Sequence, residues 1–279
     1  MVILPKKGMW LKMTILQALI LGIVQGLTEL LPISSSAHLA IIPWLFNWTA
    51  SAEFVRDFAG FDVALHFGTL LAIAIFFFKD WINLIKGGYK QVIKKEKTFE
   101  GKMFWYLVAA TIPGGIIGFV LDKFVGDKLE TPIIIALALI VMGIVLYVVD
   151  KKSKSNIKFE KMNFKQTFLI GLSQCLAFIP GVSRSGITMT TGRLLGIERE
   201  SVAKYSFLLS TPIVFAATLF KLKDFVFSIP FFIGVFASFL VGIFVIKFLL
   251  EYLKKGNFKV FAIYRVVVGI AIIAIYLIR

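Results

Sequence analysis

The chain has 279 residues, of which 58% are hydrophobic and only 17% charged, with a mean hydropathy of +0.88. Soluble domains average about 45–50% apolar and about 25% charged residues, so the composition excludes a soluble globular protein and predicts a polytopic membrane protein. The net charge of +15 sits in a few loops without aromatic interleaving, which excludes a nucleic-acid surface.

Taken in order, residues 1–12 place Lys6, Lys7 and Lys12 before an apolar run, superficially like a signal peptide. The run ends in Thr28-Glu29-Leu30-Leu31-Pro32 and not in a small-residue cleavage site, which argues against that reading. Met13 opens the apolar pattern cleanly, so a start at Met13, with 1–12 outside the native chain, is an expectation alongside a start at Met1. Cys175 is the single cysteine, which leaves no intrachain disulfide and no thiol-based metal cage.

Spans need about 17–25 apolar residues. Six segments qualify: Phe61–Phe78, Met103–Leu121, Pro132–Val149, Ser201–Phe220 with a kink at Pro212, Pro230–Leu250 and Val260–Ile278. Four more are helical in pattern but too short or too polar to cross: Thr14–Leu31, Ala37–Phe46, Phe164–Ile179 and Ser185–Leu195, the last with Thr188, Thr190, Thr191 and Arg193. Short broken segments with Pro-rich polar tips predict re-entrant hairpins over 14–46 and 164–196, whose irregular backbone must be buried in protein or line a wet cavity.

The hairpins resemble each other: Gly22, Gln25, Leu27, Pro32 and Ser35 match Gly171, Gln174, Leu176, Pro180 and Ser183 if one residue is skipped. Each is followed by three spans, so the second copy must insert upside down. The expected fold is an all-α polytopic membrane protein of about ten helices. It comprises six transmembrane spans and two re-entrant hairpins in one membrane domain, 1–279, with inverted-repeat halves at about 13–150 and 164–279.

Loop lysines set the orientation. Lys79 to Lys102, Lys151 to Lys165, and Lys254, Lys255 and Lys259 share one side, while Arg56, Lys123, Lys128, Lys221, Lys223 and both termini lie opposite. The positive-inside rule makes the first set cytoplasmic and both termini external, although Lys6, Lys7 and Lys12 count against it.

The two tips carry the chemistry. In hairpin one, Gln25 and Glu29 share a helical face. Glu29, with Gln25 as neighbour, suits a divalent cation such as Mg2+ or Ca2+ completed by water and phosphate oxygens. Ser34, Ser35 and Ser36 supply hydroxyls, and His38 is either a helix cap or a base or nucleophile. In hairpin two, Pro180-Gly181-Val182-Ser183-Arg184-Ser185-Gly186 gathers hydroxyl donors at the start of a helix, with Arg184 as a bidentate clamp. Ser183, Ser185 and Gly186 are therefore expected to bind an anion, phosphate above all. Asp62 and His66, another i, i+4 pair, are expected as either supporting neighbours of the site or a private structural bond.

Together, Gln25 to His38 and Pro180 to Gly186 resemble the two motifs of the undecaprenyl-diphosphatase family, the bacitracin-resistance membrane phosphatases. The similarity extends through Phe61 to Thr69 and Phe261 to Arg265, covering essentially the whole chain. It implies hydrolysis of a C55 isoprenyl diphosphate to the monophosphate, recycling the lipid carrier for peptidoglycan. It also implies a plasma-membrane location, dependence on Mg2+ or Ca2+, and competition from bacitracin, which sequesters the substrate. By position, Glu29 matches the essential carboxylate, Ser35 and His38 the hydroxyl and imidazole, and Arg184 the phosphate-binding arginine. Ala37 stands where glycine is common, and Gln25 where some members carry Glu, which removes one carboxylate from the metal site. The nucleophile is open between His38, Ser35 and water, and a homodimer is an open expectation. The rival reading is a polyprenyl-phosphate flippase, which would use Arg184 but need neither His38 nor a carboxylate beside hydroxyls. The charge pattern predicts that a cysteine at position 94 reacts with an impermeant thiol reagent from the cytoplasmic side; labelling only from outside would reverse the topology.

Overall fold

A computed structural model describes residues 13–50, 52–124 and 131–279. The question of the start at Met1 or Met13, and Lys128, fall outside the described residues, as do the side chains of Arg56 and Lys123. Among the described residues the chain forms eleven α-helices, and its only β contact is an isolated bridge between Ile157 and Ile197.

The first hairpin is α1 (Ile15–Thr28) and α2 (Ser35–Leu45). A capping box starts α1: the Thr14 side chain accepts from Gln17 N–H while the Gln17 side chain accepts from Thr14 N–H. The helix stops short of Pro32, which cannot donate to a continuing ladder. The 11 residues of α2 span about 16 Å, roughly half of a bilayer core. Next come α3 (Ala52–Phe76), α4 (Phe78–Ile93), α5 (Phe99–Phe124) and α6 (Pro132–Lys152). The second hairpin has α7 (Phe164–Ser173), a 3-10 turn over Gln174–Phe178, and α8 (Arg184–Leu194). A second capping box, Asn163 with Gln166, opens α7, and α8 again has 11 residues. The chain closes with α9 (Arg199–Lys221), α10 (Ile229–Lys255) and α11 (Lys259–Ile278).

Among the described residues, five stretches are long and apolar enough to cross a membrane alone: Phe99–Val120, Pro132–Lys152, Arg199–Asp224, Ile229–Lys255 and Lys259–Ile278. The sixth expected span lies in α3, but it does not reach Phe78. The chain breaks at Phe77 and turns by 76° into α4, so Phe78 opens a new helix. The lysine-rich run expected as a loop is thus largely helical, and α4 is the one helix beyond the ten expected. Its lysines hid the apolar residues that recur beside them at helical spacing.

The packing repeats across the two halves. Helix α1 lies against α10 as α7 lies against α5, while α3 meets α9 and α6 meets α11. These are the pairs that result when α1, α3, α5 and α6 exchange with α7, α9, α10 and α11. Matched glycines allow the hairpins to seat closely. Gly22 of α1 abuts the Gly234 carbonyl of α10, and Gly171 of α7 abuts the Ala110 carbonyl of α5, leaving no room for a Cβ at either position.

A buried ionic joint anchors the far end of the second hairpin. Asp150, at the end of α6, accepts from Arg193 Nε at 2.7 Å, from Arg199 Nε at 2.8 Å and from Phe258 N–H at 3.2 Å. Arg193 is fully buried and also donates to Ser155 Oγ at 2.8 Å and to the Ile197 carbonyl at 2.5 Å. Removing one partner of a buried ion pair costs about 3–5 kcal/mol. Asp150→Ala is therefore expected to lower the unfolding temperature in detergent by several degrees; an unchanged transition would show that the joint contributes nothing.

Candidate functional site

The tips of both hairpins meet inside the bundle, and each is built the same way. Ser34 and Ser183 precede α2 and α8 with φ of 76° and 72°, a region costly for a residue with a Cβ. Each caps its helix, with Ala37 N–H donating to Ser34 Oγ at 3.4 Å and Gly186 N–H to Ser183 Oγ at 3.0 Å. Each also lies 3.2 Å, Oγ to Oγ, from the serine two residues on, Ser36 or Ser185. The structural counterpart of Ser183 is thus Ser34, one residue earlier than the sequence match to Ser35, because the repeated feature is the strained cap and not the proline before it.

The shift places Ser35 opposite Arg184, each the first residue of its helix. Both converge on Glu29, the residue that closes α1. Glu29 Oε1 accepts from Arg184 Nη2 in a direct ion pair across the two tips. Glu29 Oε2 accepts from Ser35 Oγ at 2.6 Å and from Gln25 Nε2 at 3.3 Å, and lies 3.3 Å from His66 Nε2. Arg184 Nη1 also donates to the Ser210 carbonyl of α9 at 3.3 Å. Glu29 is buried, whereas the Arg184 and His66 side chains keep 18% and 25% of their surface, so the group opens on their side.

Of the residues expected at the site, Glu29, Gln25, Ser35 and Arg184 are brought into direct contact. Ser185 crosses to the other tip, donating to the Leu31 carbonyl at 3.0 Å. Ser34 and Ser183 are buried in their caps, and Ser36 is exposed. His66, expected at most as a supporting neighbour, touches Glu29 directly. Its Nδ1 is 3.0 Å from the Asp62 carbonyl and 3.8 Å from Asp62 Oδ1, so both ring nitrogens face oxygen atoms. His38, expected beside Glu29, is engaged elsewhere. Its Nδ1 is 2.7 Å from the Ser34 carbonyl, its Nε2 is 2.7 Å from the Tyr264 hydroxyl, and the two rings stack. About one turn further along α2 than Ser35, the His38 side chain stands beside Tyr264 of α11.

Arg265 of α11 completes the site and was not among the residues expected there. It is fully buried, and its four hydrogen bonds all go to carbonyl oxygens. Nη1 donates to Pro32 of the first tip at 3.1 Å, and Nη2 donates to Gly181 and Val182 of the second at 2.8 and 3.0 Å. Nε donates to Leu139 of α6 at 3.3 Å. Gly186 is needed here for space, since a Cβ would sit 2.7 Å from Arg265 Nη1. The signal was present in the sequence: a single arginine inside an otherwise uncharged span is a functional or structural site by default.

A leucine at position 265 would leave four buried carbonyls without this donor, at about 1–3 kcal/mol for each one not otherwise satisfied. Arg265→Leu is expected to yield little folded protein. Arg265→Lys, with one point of donation in place of a fork, is expected to fold with a lowered melting temperature and reduced activity. Wild-type melting in both variants would refute the bridging role.

Comparison with known proteins identifies the family. A family model described as "Bacitracin resistance protein BacA" matches residues 18–271. A protein of Pelotomaculum thermopropionicum named undecaprenyl-diphosphatase is 50% identical over 268 residues, covering 94% of this chain and 97% of the relative. Proteins of the same name from Desulforudis audaxviator and Myxococcus xanthus are 45% and 37% identical, each covering 94% of this chain and, respectively, 98% and 89% of the relative. The chain belongs to the BacA bacitracin-resistance family.

Proposed function

We propose that the protein is a membrane phosphatase that hydrolyses undecaprenyl diphosphate to the monophosphate and inorganic phosphate. It thereby returns the lipid carrier to peptidoglycan synthesis and confers resistance to bacitracin, which competes by sequestering the diphosphate. The observation that carries the reading is the convergence of Arg184, Ser35 and Glu29 from opposite hairpin tips, at the start of two helices inside an apolar bundle. Arg184 and the first-turn N–H groups of α2 and α8 are suited to hold a diphosphate. Ser35 donates its proton toward Glu29, the arrangement of a hydroxyl paired with a base. Hydrolysis breaks the terminal P–O bond of the anhydride; the oxygen added to phosphorus comes from water, directly or after transfer through Ser35. The developing negative charge then faces Arg184, and this kind of stabilisation is usually the largest catalytic contribution.

A divalent cation, Mg2+ or Ca2+, would be held by Gln25 together with Glu29, whose oxygens already accept from Arg184, Ser35 and Gln25. Gln25 Oε1 is buried without a hydrogen-bond partner on the same helix face as Glu29, an oxygen free for coordination. Among the described residues no three His, Cys, Asp or Glu side chains cluster to hold a metal, so Glu29 and Gln25 would leave most positions to water and substrate oxygens. Such an ion, when bound, supplies charge neutralisation of the diphosphate.

The same reading places the protein in the plasma membrane as two inverted halves, with the lysine-rich loops cytoplasmic, both termini outside and the Glu29 hairpin entering from outside. The repeated helix pairs and the matched glycine contacts support the two related halves, and the orientation rests on the loop lysines alone.

Glu29→Ala and Arg184→Ala are each expected to reduce phosphate release from a polyprenyl diphosphate by about a hundredfold or more. Retained turnover in either variant would remove the constellation, and transfer of monophosphate across liposomes without hydrolysis would favour a flippase. Acid quenching during turnover identifies the nucleophile: phosphate trapped on Ser35 or on His38 assigns attack to that residue, and phosphate on neither assigns it to water.

A further inference from the structure

Helix α4 takes no part in the site. It leaves α3 at 76°. Spans tilt by about 20° on average, so a helix at that angle to one runs nearer the membrane plane than its normal. At 3.6 residues per turn its side chains fall into three stripes. Leu84, Gly87 and Gly88 are buried, with Gly87 against the backbone of Gly101 and Gly88 against the ring of Phe104, both in α5. Phe78, Ile85, Tyr89, Val92 and Ile93 form a second stripe, each more than half exposed. Lys79, Lys86 and Lys90 form the third, also exposed. The single acidic residue of α4, Asp80, is not part of the basic stripe and pairs with Lys204 of α9 at 2.6 Å. Lys90 is approached by Glu96 at 4.0 Å, with both side chains half exposed, a pair that contributes little in water.

We propose that α4 is a docking surface for anionic phospholipid. An apolar stripe alongside a lysine stripe, on a helix near the membrane plane, matches the two layers of an anionic leaflet. The aromatic and aliphatic side chains reach the acyl boundary, and the lysines meet headgroup phosphates. A soluble acidic partner would match the lysines but leave the adjoining apolar stripe unexplained. A purely topological role for the lysines requires neither their alignment in one stripe nor the apolar stripe beside it.

The test is native mass spectrometry of the full-length protein released from nanodiscs of mixed phosphatidylglycerol and phosphatidylcholine, counting the lipids retained. The unaltered protein is expected to retain phosphatidylglycerol in preference. The triple variant Lys79→Gln, Lys86→Gln, Lys90→Gln is expected to retain roughly tenfold less of it. A control triple, Lys152→Gln, Lys158→Gln, Lys255→Gln, removes equal charge from the ends of α6 and α10 and the segment after α6, and is expected to retain as much as the unaltered protein. Equal loss in both triples, or no preference in the unaltered protein, overturns the proposal. The readout needs no turnover, so it stands or falls separately from the phosphatase reading.

Discussion

Arg265 is a buried cation whose four hydrogen bonds all run to main-chain carbonyls, three of them on the hairpin tips. Where the chain turns inside a membrane, carbonyl oxygens lose their helical donors, and each one left bare in hydrocarbon is costly. Two such turns cannot share the centre of a bundle unless something donates to both. One guanidinium does so, with a fork that reaches Pro32 on one side and Gly181 and Val182 on the other. Close fit around it explains several small residues. Gly186 has no room for a Cβ next to Nη1, and Gly181 has a φ of 94°, where glycine is at ease.

With the tips held together, the chemistry follows from which residue stands at each equivalent place. Ser35 opens α2 and Arg184 opens α8, so a hydroxyl from one half and a guanidinium from the other meet on one carboxylate. Glu29 has no acidic twin in the second hairpin: four residues past Gln174, as Glu29 is past Gln25, stands Phe178. The repeat therefore supplies the frame, and its departures from symmetry supply the reactive groups. Two strained serine caps, each a cost to folding, aim both helix starts at the same space.

The remainder of the bundle keeps these tips in register. Glycine contacts seat each hairpin against a long helix of the opposite half, and Asp150 gathers Arg193, Arg199 and the start of α11 at the other end. The second hairpin is thus fixed at both ends, by Arg265 at its tip and by Arg193 at its base. Small shifts at either end would separate Arg184 from Glu29, since positioning errors near 1 Å are costly in such sites.

Much of this was legible in the residues themselves. Apolar length gave the spans, interrupted apolar length gave the hairpins, and polar residues in an apolar setting marked Gln25, Glu29, Ser35 and Arg184, because hydrocarbon makes such groups expensive whatever the fold. Helix α4 was obscured because lysine signals a loop as readily as the exposed face of a helix. Partners were beyond the sequence's reach. Spacing placed His38 near Ser35, but one turn further along α2 it meets Tyr264 of α11, whereas His66, on a different helix, arrives at Glu29. Polarity in an apolar stretch marks which residues need compensation inside the membrane; apart from the local contacts of Gln25 and Ser35 with Glu29, the compensating groups come from helices distant in the chain, which only folding brings together.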